Sequence, residues 1–264
     1  MPSQVSQTSM DAPLSQAYSD LIKISQSFRL LHRYGLISPR CRLHALRGLY
    51  VRFGKRALDI VAAVIAVVLA SPILLVVALM SARIHGKPVF FRQMRIGHGE
   101  AEFRVFKFRS MTDERDADGR LLPDEVRHTI FGRLMRKWSV DELPQFLNVL
   151  HGQMSLIGPR PLLIRYVPRY TMRQRRRHTV KPGISGLAQA LDSLGMSWEQ
   201  RLEVDVAYAN SVSFILDVAV IVLTFLELGQ RIAGRRLTAP EEFWGRQGRP
   251  DHGPLVLPVS ESGD

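Results

Sequence analysis

Residues 57–84 have the sequence ALDIVAAVIAVVLASPILLVVALMSARI, a nearly uninterrupted apolar stretch. Before Arg83, its only charged residue is Asp59, which lies near the start. A stretch of this length and apolarity predicts a helix that enters a lipid bilayer. Hydropathy by itself favours a single spanning helix, whereas one proline and the flanking charges favour a different path.

A re-entrant path is the one that we predict. Pro72 follows Ser71 at the middle of the stretch, where a proline removes a backbone donor and kinks a helix. The basic residues that flank the stretch are Arg52, Lys55 and Arg56 before it and Arg83 and Lys87 after it. The positive-inside rule therefore gives no direction of crossing. We expect residues 51–84 to form a helix–break–helix that returns to its face of entry, with Ser71 covering carbonyl groups freed at the kink.

The composition indicates a folded protein with an anionic partner. The 264 residues are 46% hydrophobic and carry a formal net charge of +12, which favours phosphorylated substrates, lipid headgroups or nucleic acid. The single cysteine, Cys41, excludes an internal disulfide framework and a thiolate metal cluster. Residues 1–50 are predicted to be a partly disordered extension without a secretory signal. Residues 236–264 are predicted to be a flexible tail, which leaves residues 85–235 as the folded domain.

A β-hairpin is predicted directly after the apolar stretch. The segments PVFFRQMRIG (88–97) and EFRVFKFRSM (102–111) are typical of strands and are separated by a glycine-containing turn. Alternation along the second strand puts Lys107 and Arg109 on one face and Phe106 and Phe108 on the other. Such cations indicate either a solvated strand face or contacts to an anionic substrate. In the polar loop that follows, residues 116–118 match the short metal-binding Asp-x-Asp pattern, which is common by chance.

Helical patterns dominate the rest of the chain. Residues 165–181 carry seven lysine or arginine residues and no acidic one, which predicts a helix facing solvent or lipid headgroups rather than nucleic acid. Residues 213–228, SFILDVAVIVLTFLEL, are too short to span a bilayer comfortably and predict an interfacial or buried helix. The predicted fold class is α+β and mainly helical: a monotopic membrane protein with a re-entrant kinked helix, a small β-hairpin and interfacial amphipathic helices.

Two adjacent carboxylates are the leading candidates for chemistry. Asp141 and Glu142 follow Ser139, so the segment fits either a capping box that opens a helix or a reactive pair at a helix N-terminus, where phosphate also binds. Adjacent carboxylates can divide labour, one attacking phosphorus and the other holding a divalent metal. Arg160 lies between two prolines in a stiff loop, which fits either a phosphate clamp or a tight turn.

Several long motifs in a fixed order resemble the bacterial sugar transferase family, the monotopic phosphoglycosyl transferases. They are KRALDIVAAV…SPILL, PVFFRQMRIG, FKFRSM, RLMRKWSVDELPQFLNVLHGQMSLIGPRP, HTVKPGISGLAQ and LEVDVAYANSVSFILDV. One departure lies in the segment after the Pro-Gly-Ile-Ser-Gly motif, where this chain has Leu-Ala-Gln-Ala-Leu-Asp (187–192) instead of the family's usual Trp-Ala-Gln-Val-Asn-Gly. The departure puts nucleotide or sugar contacts in this loop in doubt.

The resemblance implies a two-step reaction on the cytoplasmic face of the bacterial inner membrane. Asp141 would attack the sugar-bearing phosphorus of a UDP-sugar and release UMP, and undecaprenyl phosphate would take the phosphosugar from the aspartyl intermediate. Asp141 and Glu142 would hold Mg²⁺. Substrate-binding roles fall on Arg136, Arg160, Lys107 and Arg109, and the membrane kink falls on Ser71 and Pro72. The expected product begins an exopolysaccharide, capsule or O-antigen.

The expected partners are a UDP-sugar, undecaprenyl phosphate and the bilayer, with no nucleic acid, and the sequence leaves a homodimer open. The alternative is a non-catalytic basic scaffold at the membrane surface, in which the carboxylates only cap a helix.

Overall fold

The computed structural model describes residues 48–191 and 195–233. The predicted extension up to residue 47, Asp192 and the predicted tail lie outside the described residues. The helices are α1 (Lys55–Ile84), α2 (Asp124–Arg127), α3 (Ile130–Lys137), α4 (Gln145–Leu150), α5 (Met172–Arg175), α6 (Leu187–Ala190), α7 (Trp198–Ser211) and α8 (Phe214–Ile232). The strands are β1 (Phe90–Ile96), β2 (Glu102–Phe108), β3 (Ser155–Ile157) and β4 (Gly183–Ser185). The described chain is therefore mainly helical with small sheets, as predicted.

Helix α1 is long and apolar enough to cross a membrane, and it continues a π-helical turn over Tyr50–Gly54. Only 11% of its most apolar window is buried inside the protein. The core helix of a water-soluble domain would be mostly buried, so the apolar surface of α1 requires another apolar environment.

The backbone of α1 is helical without interruption through Ser71 and Pro72. The predicted break of the helix is therefore not seen, and the re-entrant path stays a prediction. Pro72 lacks the N–H that would donate to the carbonyl group of Val68. The hydroxyl group of Ser71 donates to that oxygen instead, at 2.7 Å. The prediction that Ser71 covers a freed carbonyl is confirmed, and this bond allows the helix to continue past the proline.

Both ends of α1 pack against the same folded unit. Near its start, Ala63 is fully buried in a cluster whose other buried members are Phe103, Val105, Val149 and Met154. Near its end, Val77 packs with Phe108 and Met135. Polar contacts hold the same two regions. Near the start of α1, Asp59 accepts hydrogen bonds from the Ser155 hydroxyl and the Leu156 amide, both at 3.0 Å. Near its end, Ser81 donates to the Arg109 carbonyl at 3.1 Å. Between these two anchor points, residues 64–76 are all exposed or half-buried.

The predicted hairpin is confirmed, because β1 and β2 pair antiparallel with Phe91 opposite Lys107. Lys107 follows Phe103 and Val105 on one face of β2 by strand alternation, and those two side chains are buried. The solvated-face interpretation of Lys107 is therefore wrong, because this face points into the protein.

Close backbone approach fixes the loop that carries Arg160. Strand β3 leads into this loop and pairs in parallel with β4. A Cβ atom on Gly158 would lie 2.3 Å from the carbonyl oxygen of Lys181, and one on Gly183 would lie 2.1 Å from the Gly158 nitrogen. Only glycine allows both segments to come this close.

The basic run does not form the predicted lipid-facing helix. It forms separate short turns, Ile164–Arg169, α5 and Arg176–Thr179, and three of its cations bind acidic side chains of this chain. The ion pairs are Arg177–Asp205 at 2.6 Å, Arg175–Glu100 at 2.7 Å and Arg173–Glu203 at 2.8 Å. Two of these pairs join the basic turns to α7, and the pair with Glu100 joins them to the turn of the hairpin.

Candidate active site

The acid pair lies in a 3₁₀ turn, Val140–Glu142, between α3 and α4. Ser139 adopts a left-handed conformation, with φ at 55°, and its side chain makes no capping hydrogen bond. The capping-box interpretation is therefore wrong. A left-handed residue reverses the chain after α3, and this reversal turns the two carboxylates towards β2.

Two cations converge on one oxygen of Glu142. Lys107 Nζ donates to Glu142 Oε1 at 2.6 Å, and Arg160 Nη2 donates to the same oxygen at 2.9 Å. Burial alone would raise the pKa of this carboxyl group, but the charges and hydrogen bonds of Arg160 and Lys107 lower it to about 2. Glu142 is therefore ionised at every pH at which the protein would work.

Asp141 has the opposite environment. It is buried, and among the described residues the salt bridges at this site reach Glu142 rather than Asp141. Burial and the neighbouring Glu142 charge raise the pKa of Asp141, while Lys107 and Arg136 act to lower it. Two adjacent carboxylates with separated pKa values are typical of catalytic sites, where one group reacts and the other stays charged.

The acid pair opens into a cleft with a volume of about 1270 Å³. All six residues predicted to act in the site line this cleft: Lys107, Arg109, Arg136, Asp141, Glu142 and Arg160. The structure thus brings together cations and carboxylates from β2, α3, the acidic turn and the loop after β3.

Arg136 and Arg109 contact other groups around the acid pair. Arg136 contacts the Ser110 hydroxyl at 3.3 Å and His128 Nε2 at 3.0 Å, so it influences Asp141 through its charge rather than by a bond. Arg109 forms an ion pair with Asp113 at 2.5 Å. Both guanidinium groups line the cleft, where an anionic substrate can reach them.

Arg95 is a cleft residue that the sequence did not single out. It donates to the carbonyl oxygen of Pro161 at 3.3 Å and so braces the loop that carries Arg160. Burial and the nearby Arg160 charge lower its pKa to about 10. Strand alternation in β1 was the signal that could have indicated Arg95. It puts Arg95 on the same face as Gln93, and both residues line the cleft.

The Asp-x-Asp pattern has a structural role. Asp116 Oδ1 accepts hydrogen bonds from the backbone amides of Asp118, at 3.0 Å, and Arg120, at 2.8 Å. This carboxylate therefore closes its own turn, and neither aspartate lines the cleft.

The donor set at the acid pair fits a magnesium ion that is shared with a substrate. Residues 48–191 and 195–233 contain no group of three or more histidine, cysteine, aspartate or glutamate side chains that could hold a metal. Mg²⁺ is usually bound by one or two carboxylates together with phosphate oxygens and water. Asp141 and Glu142 supply the two carboxylates, and the cations beside them suit the phosphate groups.

A long exposed apolar helix beside a cleft of paired carboxylates and cations defines a membrane-associated enzyme with a site for anionic substrates. The chain belongs to the bacterial sugar transferase family, whose sequence model matches residues 50–231.

Three relatives illustrate the range of the family. A Bacillus subtilis protein named sugar transferase EpsL is 53% identical over 171 residues, which cover 64% of this chain and 84% of that protein. An Aeromonas hydrophila UDP-N-acetylgalactosamine-undecaprenyl-phosphate N-acetylgalactosaminephosphotransferase is 40% identical over 180 residues, 65% of this chain and 43% of that one. A Klebsiella pneumoniae UDP-glucose:undecaprenyl-phosphate glucose-1-phosphate transferase is 40% identical over 189 residues, 68% of this chain and 40% of that one. The matched region thus spans less than half of the latter two relatives.

Proposed function

We propose that the protein transfers a sugar-1-phosphate from a UDP-sugar to undecaprenyl phosphate and releases UMP. The names of the Aeromonas and Klebsiella relatives support this reaction class. The observation that carries the proposal is the contrast within the acid pair. Glu142 is held charged by Lys107 and Arg160, and Asp141 lies buried beside it in the same cleft.

In the first step, a carboxylate oxygen of Asp141 attacks the sugar-bearing phosphorus. A phosphorus–oxygen bond forms to Asp141, and the bond from that phosphorus to the bridging oxygen of the diphosphate breaks. The electron pair leaves with UMP, and an aspartyl phosphosugar remains. Because burial excludes water from the Asp141 carboxylate, the intermediate is protected from hydrolysis.

In the second step, a phosphate oxygen of undecaprenyl phosphate attacks the same phosphorus. The bond to Asp141 breaks, its carboxylate is regenerated, and the product is a polyprenyl diphosphate sugar. Lys107 and Arg160 neutralise charge that develops on the phosphoryl oxygens in both steps. A magnesium ion held by Asp141 and Glu142 would supply further charge neutralisation when it is bound.

The position of β2 supports a re-entrant path for α1. Ala63 and Val77 lie about 21 Å apart along the helix, at 1.5 Å per residue. They belong to two core clusters, one with Phe103 and one with Phe108, near the two ends of β2. A helix that crosses the bilayer separates its ends by about 30 Å of hydrocarbon. Because both clusters belong to one folded domain, we expect the two parts of α1 that join them to lie on one side of the membrane, which we assign to the cytoplasmic face of the inner membrane.

Exposed apolar side chains on α3 and α8 support an interfacial position for the domain. In α8 the large exposed apolar residues are Phe214, Ile215, Val218, Ile221, Val222, Phe225 and Leu226. In and just after α3 they are Ile130, Leu134 and Trp138, at four-residue spacing. Such stripes insert into the headgroup region and would hold the cleft at the depth of a lipid phosphate.

Turnover tests the proposal directly. Purified protein is incubated with Mg²⁺, undecaprenyl phosphate and a panel of UDP-sugars, and UMP release is measured for the wild type and for Asp141→Asn. We expect release by the wild type and a loss of at least about a thousandfold in the variant, because the nucleophile is removed. Asp118→Asn is the matched control, since it makes the same change in an exposed turn outside the cleft. Equal release by Asp141→Asn, or none by the wild type with any sugar, would favour the scaffold alternative.

The intermediate and the path of α1 need separate measurements. A UDP-sugar labelled at the sugar-bearing phosphorus should transfer its label to wild-type protein in the absence of lipid and leave Asp141→Asn unlabelled.

The path of α1 is tested with cysteines introduced at Leu49 and Lys87, which are exposed at the two ends of α1, with Cys41 replaced by serine. Both should react with an impermeant reagent only from the cytoplasmic side. Labelling from opposite sides would exclude the re-entrant path.

A further inference from the structure

The cleft continues from the acid pair into a second region, which we call the α8 arm. It is formed where β4, α6 and α8 meet, and its lining residues are Ile184, Ser185, Gln189, Ala190, Thr224 and Glu227. The hydroxyl groups of Ser185 and Thr224 are 2.6 Å apart and join β4 to α8 by a hydrogen bond. None of the functions assigned above uses this arm.

Two buried acceptor oxygens in the α8 arm have no donor among residues 48–191 and 195–233. Glu227 is only 5% exposed, and its Oε1 atom is buried without a hydrogen-bond partner in that part of the chain. Gln189 Oε1 is likewise buried without a hydrogen-bond partner among the described residues. The amide nitrogen of Gln189 donates to the Ile184 carbonyl at 3.4 Å. Burying a carboxylate or amide oxygen without a donor is costly, so two such atoms in one cleft indicate a missing ligand that donates.

The chemistry of the arm favours a neutral ligand over a phosphate. Among residues 48–191 and 195–233, Glu227 belongs to no group of three or more side chains that could hold a metal ion. A carboxylate repels phosphate, whereas the cations Arg109, Arg127 and Arg136 line another part of the cleft. Two of them, Arg109 and Arg127, are paired with acidic side chains there. The α8 arm therefore suits a neutral group with hydrogen-bond donors.

We propose that the α8 arm binds the sugar ring of the donor substrate, with Glu227 Oε1 and Gln189 Oε1 accepting hydrogen bonds from its hydroxyl or acetamido groups. This proposal rests on the proposed function. A hexose ring offers several adjacent O–H donors to the two acceptors, whereas uridine offers one N–H donor on its base and two hydroxyl groups on its ribose. The phosphates then lie at Lys107 and Arg160, and the nucleoside lies towards Arg109, Arg127 and Arg136.

Binding measurements separate the sugar from the nucleotide. Affinities for UDP and for UDP-glucose, UDP-galactose, UDP-N-acetylglucosamine and UDP-N-acetylgalactosamine are measured by calorimetry on the full chain in detergent. The wild type should bind at least one UDP-sugar more tightly than UDP. Glu227→Gln and Gln189→Leu should each weaken the affinity for that UDP-sugar by about ten- to a hundredfold. This is the loss expected when a hydrogen bond to a buried charged or polar group is weakened or removed. Their affinity for UDP should stay unchanged.

Glu125→Gln is the matched control, because it makes the same change on exposed α2, at a residue that does not line the cleft. Melting temperatures establish that each variant is folded, and Glu227→Gln should not be less stable than the wild type, since the lost charge had no partner in the described chain. Equal weakening of UDP and UDP-sugar would place the nucleotide or a structural contact in the arm and overturn the proposal. Unchanged affinities for both ligands would also overturn it.

The outcome for the α8 arm does not depend on the outcome for turnover. If the wild type discriminates UDP-sugars from UDP and the two variants lose that discrimination, the sugar site stands even when no UMP is released, and only the proposed reaction fails. If UMP is released at wild-type rates with unchanged sugar preference in both variants, the reaction stands and the sugar site fails.

Discussion

Replacing Lys107 with methionine removes one of the two cations that bind Glu142 and keeps an unbranched apolar side chain in its place. In the wild type, Arg160 and Lys107 overcome the effect of burial and lower the pKa of Glu142 from 4.5 to about 2. At about 1.4 kcal/mol per pKa unit, this shift corresponds to about 3 kcal/mol of net stabilisation of the ionised carboxylate. Burial lowers the pKa of Lys107 itself, so its removal also relieves a cost of burying a charge. Lys107→Met is therefore expected to lower the free energy of unfolding by on the order of 1 kcal/mol at neutral pH.

The stability difference between the wild type and Lys107→Met should depend on pH. A carboxyl group whose pKa is lowered by folding stabilises the fold above its unfolded pKa, near 4.5, and loses this effect as the pH falls towards about 2. The stability difference between the wild type and Lys107→Met should therefore be complete at pH 7 and narrow below about pH 4.5. Melting temperatures from about pH 3 to pH 8 measure it, with Arg104→Met as the control on the exposed side of the same strand.

Turnover should show the opposite trend with pH. Lys107 is one of the charges that lower the pKa of Asp141, so its removal raises that pKa further and moves the acid limb of the pH–rate profile to higher pH. The activity deficit of Lys107→Met should thus be largest in acid and shrink as the pH rises. A stability difference that is independent of pH, together with an acid limb that does not move, would refute the electrostatic account of the pair.

Two further predictions concern the frame around the site. Gly158→Ala should unfold the Arg160 loop and lower the melting temperature, because the added Cβ would lie 2.3 Å from a backbone carbonyl oxygen. Gly229→Ala should leave the melting temperature unchanged, because its added Cβ meets nothing within 4 Å. Arg177→Met should lower the free energy of unfolding by about 3–5 kcal/mol, because it removes the ion-pair partner of the buried Asp205. Arg173→Met should lower it by less than about 1 kcal/mol, because its ion pair is exposed. Chemical denaturation of each pair of variants measures the difference, and equal losses within a pair would contradict the prediction.

Features set by neighbouring residues could be predicted from the sequence. The hairpin follows from alternation and a glycine turn, the apolar helix from its length, and the bond of Ser71 from the donor that Pro72 lacks. The acid pair and Arg160 were found as chemistry-bearing residues in stiff or polar segments. The two alternatives at Ser139 stayed open because the pattern Ser-x-x-Glu is the same in a capping box and in a left-handed reversal. Only the direction of the chain after α3 distinguishes them.

Contacts between distant segments could not be predicted from the same patterns. Lys107 and Glu142 are 35 positions apart, and nothing local to either residue indicates that the two meet. The basic run likewise has no acidic residue of its own, so its ion pairs with Glu100, Glu203 and Asp205 depend on how α7 and the hairpin turn fold back against it. Glu227 was hidden in an apolar helix pattern, where a single acid gives no signal until the cleft beside it is seen.

Strand β2 links the membrane helix to the reaction site. Its buried face packs Phe103 and Val105 against Ala63 of α1, and two residues further along the same face Lys107 reaches Glu142. The packing of α1 in this cluster therefore connects the apolar helix to the Glu142 carboxylate through one short element. The proposed acceptor, undecaprenyl phosphate, carries its phosphate at the headgroup level, so the proposed reaction requires a site held close to the membrane surface.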